Sequence, residues 1–419
     1  MFTESFMSPE SRKIALYVSN GIELRTYFNA SIDYGENTVY AFHDCLSDDV
    51  LRQYAKPSIE FIKVSRVQTG KKTKRLYYYL IKSARRYQGF LGIRAYNPGK
   101  YVDTQEDVSA LVKFSNKIII RFLKNALNLL IGKESAQLKE QLSVKGVTDV
   151  VLCGYSGLNN YLFSDSALRS GARIWSIVNG WKDIYVDGIV LLPLTGLFVW
   201  NPAMLVGYES LNPELRGKVI ASGHPRFSDF TNIKPEKPVS AYFTGENNRK
   251  IVYTCANPEI VADEEKRIHR IYEALAANSQ GNVDFLVKMN PMDSRKDYLE
   301  NYFKGTGIIF YPGNWVFDRT KDLNIPGVQD EQEWKDIVYY TDIFIGAAST
   351  VAVEAFMAGK PVVNITFDEE DKPCAGSLAL LNAPYYKALI EDAVVVVAES
   401  LDSLVVCVED AQGKKNMGL

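Results

Sequence analysis

The chain has 419 residues, of which 47% are hydrophobic and 23% charged, and its formal net charge is −2. That length suits two domains, and the near-neutral balance excludes a general nucleic-acid binder, which needs a strongly basic surface. Five scattered cysteines without CxxC spacing read as reduced thiols of a cytoplasmic protein, and three dispersed histidines are too few for a metal cluster. The opening residues lack the apolar core of a secretory signal, and no apolar run is long enough to span a bilayer.

Short apolar runs alternate with helical patterns, the signature of parallel α/β sheets. In chain order the first half predicts strands at 14–18, 39–42, 59–64, 149–152, 172–178, 196–200 and 218–221. Helices fall between them at 48–55, 76–90, 108–130, 158–171 and 202–208. Pro235, Pro238, Gly245 and several charges then interrupt the pattern, so 231–249 is expected to be a linker between an N-terminal domain (1–230) and a C-terminal one (250–400). The second half restarts with strands at 251–255, 284–288, 308–311, 343–346, 361–365 and 394–397. Its helices fall at 263–278, 296–303, 331–340, 350–358, 377–389 and 401–411, and the last stretch, 401–419, is expected to reach back to the first domain. The fold class is therefore α/β, with two Rossmann-like domains expected to face each other across a cleft.

The most informative segment runs from Gly346 to Val363: an apolar strand, a turn of small residues, a helix opening at Ser349-Thr350, a glycine stop and a second buried strand. Small residues let a ligand approach the backbone, and a helix start offers N–H groups and a positive dipole end to an anion. Glu354, one to two turns into that helix, is placed to accept hydrogen bonds from a ribose. Ser or Thr at this point is also the ordinary N-cap of any α/β unit.

From 61 to 102 the chain carries eleven Lys and Arg residues and no acidic one, with Tyr77, Tyr78, Tyr79 and Tyr87 interleaved. The apolar, Lys/Arg-dotted segment 112–133 follows. The whole stretch 61–133 suits an anionic membrane surface or a polyanionic acceptor glycan, set against the plainer reading of a solvated charged face.

Four pieces of the chain resemble the GT-B glycosyltransferases of bacterial surface-polysaccharide assembly, the group that includes capsule-type sialyl- and Kdo-transferases and the CDP-glycerol glycerophosphotransferases. These are the 340–363 segment with Ser349-Thr350, Glu354-Ala355 and Gly359-Lys360-Pro361; Lys288-Met289-Asn290-Pro291; Gly223-His224-Pro225-Arg226-Phe227; and Ala383-Pro384-Tyr385-Tyr386. They cover about half the chain, and the family usually has His where this chain has Asn290. Asparagine still donates a hydrogen bond but cannot carry charge or shuttle a proton.

The resemblance implies a metal-independent transfer of a sugar from a CMP- or UDP-type nucleotide donor to a surface glycan or lipid-linked glycan. The enzyme would have no cofactor and would be cytoplasmic or peripheral at the inner face of the membrane. Alternatives are a CDP-glycerol-type glycerophosphotransferase, a UDP-GlcNAc 2-epimerase-like enzyme and a non-catalytic nucleotide- or glycan-binding homologue. Donor contacts are expected from Lys288, Asn290, Pro291, Tyr311, Trp315, Ser349, Thr350 and Glu354. A general base for the acceptor hydroxyl is expected from Glu23, or else Asp44, each of which also reads as an acid or cap at a helix start. Polar and aromatic loops at strand ends offer Asn20, Gly21, Tyr155, Ser156, Trp181 and Lys182 to the acceptor.

Overall fold

The computed structural model describes residues 12–416 except 19–20, 29–33, 44–45, 47, 55, 57, 65–68, 91–95, 98–99, 102–109, 319–322 and 392–393. It divides into two units, Met1–Arg226 and Phe227–Leu419.

In the first unit the elements run β1 (Lys13–Val18), α1 (Gly21–Tyr27), β2 (Thr38–His43), α2 (Asp48–Gln53), β3 (Ile59–Lys63) and α3 (Lys71–Phe90). A small hairpin of β4 (Tyr96–Asn97) and β5 (Lys100–Tyr101) precedes α4 (Ala110–Glu134) and α5 (Ala136–Lys145). Then come β6 (Asp149–Cys153), α6 (Leu158–Ser170), β7 (Arg173–Ile177), α7 (Asp183–Asp187), β8 (Gly196–Val199), α8 (Pro202–Leu211) and β9 (Val219–Ala221). The chain leaves this unit through α9 (Pro225–Ser228).

Seven strands form one parallel sheet in the order β3-β2-β1-β6-β7-β8-β9. All five residues of β6 are buried, as a strand covered by helices on both faces must be. Helices α1, α5 and α7 were not among the predicted elements. Each is ten residues or shorter and carries little apolar periodicity of its own; it is helical because the sheet beside it supplies the packing.

The second unit holds β10 (Arg249–Thr254), α10 (Glu264–Asn278), β11 (Val283–Lys288), α11 (Lys296–Phe303) and β12 (Ile309–Tyr311). An unpredicted hairpin of β13 (Trp315–Asp318) and β14 (Leu323–Pro326) precedes α12 (Val328–Tyr340), β15 (Ile343–Gly346), α13 (Val351–Met357) and β16 (Val362–Ile365). The expected helix at 377–389 is two, α14 (Ala375–Leu381) and α15 (Pro384–Glu391), because Pro384 has no N–H to continue the first and suits the first turn of the second. β17 (Val396–Ala398) and α16 (Leu401–Asn416) end the chain. The parallel sheet order is β12-β11-β10-β15-β16-β17.

Two segments expected to lie between or across the domains pack on the second unit. The segment 231–249 is not a free linker but part of the second unit: Asp336 accepts from the N–H groups of Glu236 and Lys237 and from the Tyr242 hydroxyl, while Asp284 accepts from Thr244, Gly245 and Asn248. Helix α16 buries Leu404 and Val408 in the second unit's own core, beside Ile268, Ile271 and Ile365.

Candidate functional site

In the second unit, strand register decides which residues meet at the carboxyl edge of the sheet. Tyr311 pairs with Lys288, Lys288 with Thr254, Thr254 with Gly346, and Gly346 with Asn364. Sequence segments more than a hundred residues apart thus form a single row. Strand order reverses between β10 and β15, so the chain segments leaving these two strands part to opposite faces and open a crevice between them. A side chain could not be tolerated at Gly346, where a Cβ would stand 2.5 Å from the Thr254 carbonyl oxygen.

The turn after β15 is fixed from below by side chains of β16 and α15. The Tyr386 hydroxyl donates to Asn364 Oδ1 at 2.6 Å, and Asn364 Nδ2 donates to the Gly346 carbonyl at 3.0 Å. Burial pushes the Tyr386 phenol up, against the pull of the Ser349 N–H and Asn364 that both face it. The Ser349 N–H, expected to face an anion, is therefore turned toward Tyr386. Ser349 and Thr350 are themselves half-buried, and Thr350 caps α13 without a side-chain hydrogen bond.

Lys288 and Glu354 converge on a residue the sequence reading had not singled out. Trp334 of α12 donates its indole N–H to Glu354 Oε2 at 2.8 Å, and Lys288 Nζ lies 4.9 Å from the centre of the same ring. Glu354 is only 1% exposed. It lies on the inner face of α13 with Ala352 and Ala355, and its carboxylate holds α12.

The remaining donor candidates are braced in a similar way. Asn290 Oδ1 accepts from the Met292 N–H at 2.9 Å, closing the turn that contains Pro291, and its Nδ2 reaches the Cys255 carbonyl at the end of β10 at 3.5 Å. Tyr311 donates to Asp330 at 2.9 Å, and that carboxylate also takes the Asn314 N–H at 2.8 Å. Burial and the facing Asp330 push the Tyr311 phenol up. Trp315 opens the hairpin opposite Pro326 and is half-buried.

A buried cluster beneath the crevice escaped the sequence reading. Glu264 takes the Ala256 N–H at 2.7 Å and the Tyr253 hydroxyl at 2.8 Å, and pairs with Arg267 at 2.5 Å. Burial pushes the Glu264 carboxyl up, opposed by Arg267 and these hydrogen bonds. Arg267 goes on to the Phe367 carbonyl at 2.8 Å, tying the loop after β10 to the segment after β16. The signal was available: Glu264 and Arg267 stand three apart on a predicted helix, the spacing of an ion pair.

In the first unit the loops after β6 and β7 come together. Tyr155 meets the Tyr208 hydroxyl at 2.6 Å and donates to the Asp183 carbonyl at 3.4 Å. Its ring belongs to the buried core. Ser156 and Lys182 are exposed. Trp181 is half-buried and stacks on Trp200, with ring centres 6.5 Å apart and planes within 8°. Gly21 begins α1, whereas Asn20 and Asp44 lie outside the described residues.

Glu23 is 2% exposed; burial, with the Glu23 carboxyl as a lesser cause, pushes the Tyr27 phenol and the Cys153 thiol up. A second carboxylate nearby was missed. Asp183 accepts from the Gly180 N–H at 2.8 Å, and burial pushes its carboxyl from the ordinary aspartate range to about 6, partly offset by Gly180 and Lys182. In the sequence it stands beside Trp181 and Lys182 in the loop after a predicted strand, where the aromatic ring and not the carboxylate drew the acceptor reading.

No protein-family model matches this chain, and a search of curated proteins finds no match. Solved structures do resemble it. A protein assigned as a UDP-N-acetylglucosamine 2-epimerase from Listeria monocytogenes aligns over 97% of this chain and 89% of its own, with TM-score 0.54 and 10% identity. Another UDP-N-acetylglucosamine 2-epimerase aligns over 96% and 87%, with TM-score 0.53 and 9% identity. The UDP-GlcNAc 2-epimerase of Methanocaldococcus jannaschii aligns over 96% and 92%, with TM-score 0.52 and 9% identity. At such identities the likeness is one of fold, and together with the two parallel-sheet units it gives this chain the GT-B fold.

Proposed function

We propose that this chain is a nucleotide-sugar enzyme, and within that class a glycosyltransferase that moves a sugar from a CMP- or UDP-type donor to a surface glycan or glycoconjugate. The observation that carries the reading is the row Lys288, Thr254 and Gly346 at the strand-order reversal, in which Lys288 ends one strand and Gly346, two strands across, leads into the Ser349-Thr350 turn. A leaving phosphate would be held by the Lys288 charge and the hydroxyls of Ser349 and Thr350, in a setting where fixed donors act more strongly than in water. Asp183, with a carboxyl that titrates near neutrality, joins Glu23 as a candidate base for the acceptor hydroxyl.

The second reading is a UDP-GlcNAc 2-epimerase, favoured by the solved structures that share the fold. Thermal-shift measurements with CMP, CDP, UDP, GDP and their sugars test the shared premise, and a preference for one family of nucleotides is expected. No response to any of them would overturn both readings. Conversion of UDP-GlcNAc to its 2-epimer without any acceptor would decide for the epimerase, and nucleotide release that depends on an acceptor glycan would decide for transfer.

A further inference from the structure

Helix α4 has two apolar faces, and among the described residues only one is buried. Leu127 and Ile131 are fully buried and share a core with Leu80 and Ala84 of α3. On the other side Ile118, Phe122 and Leu129 are 54%, 69% and 79% exposed. At 3.6 residues per turn these three fall within about 40° of arc, and the exposed Ile119 and Leu130 widen the stripe to about 120°. An apolar stripe of that width in water marks an interaction surface.

Among the described residues of α3 and α4 that flank it, the charged side chains before Glu134 are all basic. Lys117 and Arg121 are exposed along one edge of the stripe, and α4 holds no acidic residue before Glu134. Packed along α4, α3 exposes Lys71, Lys72, Lys74, Arg75, Lys82 and Arg86 and contains no acidic residue at all. Tyr78 and Tyr79 stand among these cations, also exposed. The chain as a whole carries a formal charge of −2, so this helical pair departs from the rest of the molecule.

We propose that α3 and α4 form a docking face for an anionic lipid bilayer, with the Ile118–Phe122–Leu129 stripe entering the headgroup region and the flanking cations meeting lipid phosphates. Apolar stripe and cationic flank together select this occupant. A polyanionic glycan would use the charge but leave Phe122 and Leu129 in water. A second copy of the chain would cover the stripe but set like charges against one another. The inference does not rest on the reaction proposed above, because no residue of the nucleotide crevice takes part in it.

The test is sedimentation of the full chain with vesicles of phosphatidylglycerol or phosphatidylcholine at low salt. Co-sedimentation with the anionic vesicles alone, released by added salt, is expected. Phe122→Glu with Leu129→Glu should lower the bound fraction by about tenfold, and Lys117→Glu with Arg121→Glu should do likewise. Val144→Glu, at an exposed apolar position on α5, should bind as the parent chain does. Circular dichroism and nucleotide thermal shifts unchanged in all variants would show the fold and crevice intact. The proposal is overturned if the parent chain stays in the supernatant with anionic vesicles, or if the stripe variant sediments as the parent does. It is equally overturned if the stripe variant abolishes a lipid-independent dimer while neither protein binds vesicles.

Discussion

Trp334 and Glu354 are joined by an indole N–H to carboxylate hydrogen bond of 2.8 Å, buried between α12 and α13. The bond fixes the helix that opens at Ser349-Thr350 against its neighbour, and the Trp334 ring lies under Lys288. One tryptophan therefore couples the cation and the turn that the proposed function requires.

Removing that carboxylate should be costly. Glu354→Ala leaves a buried indole N–H without its acceptor and should destabilise the protein by about 1–3 kcal/mol, whereas Glu354→Gln keeps an acceptor oxygen and should cost less. Urea denaturation of the two variants checks the ordering; equal losses would contradict it.

The Tyr386 hydroxyl stands between Asn364 and the Ser349 N–H, so Tyr386→Phe should loosen the turn after β15 without emptying the core. A stability loss of about 1 kcal/mol is expected. Nucleotide affinity, read by calorimetry, should fall by more than that of a Tyr340→Phe control, whose hydroxyl bonds to Lys237 on the same unit.

Gly346→Ala introduces a Cβ at 2.5 Å from the Thr254 carbonyl oxygen, and backbone on both strands must move to admit it. A loss of about 1–3 kcal/mol is expected from this overpacking, measurable as a lowered denaturation midpoint. A variant as stable as the parent would show that β10 and β15 are less closely apposed than described.

Asp183 gives a pH dependence of definite sign. Burial pushes its carboxyl up to about 6 in the folded protein, above the ordinary aspartate range, so folding favours the protonated form. The associated stability is fully present below about pH 4 and is lost as pH rises through 6. Asp183→Asn cannot ionise and should abolish that decline, as denaturation at several pH values between 4 and 7 would reveal. Should Asp183 also serve as the base, the same variant loses turnover while keeping nucleotide affinity.

Much of this protein was legible before its structure. The strands of both sheets were readable because β1, β6, β10 and β15 each contain an uninterrupted apolar run of three or more residues, which buried parallel strands favour. The turn at 346–350 was legible for a local reason, since small residues between a strand and a helix start leave few other structures. The sequence also determined the acid-free basic stretch that becomes α3 and the two apolar faces of α4.

Tertiary structure alone decided what the polar residues do. Nothing local in the sequence announced that Glu354, Tyr155 and Asn290 each take a partner from a distant segment: Trp334, Tyr208 and the Cys255 carbonyl. Asp183 stood unremarked in the loop beside Trp181 and Lys182, and burial raised its carboxyl to about 6. Periodicity reports which face of an element is buried, because burial is set by local pattern. Hydrogen-bond partners and desolvation depend on which segments the sheet order brings together, and that is a property of the assembled fold.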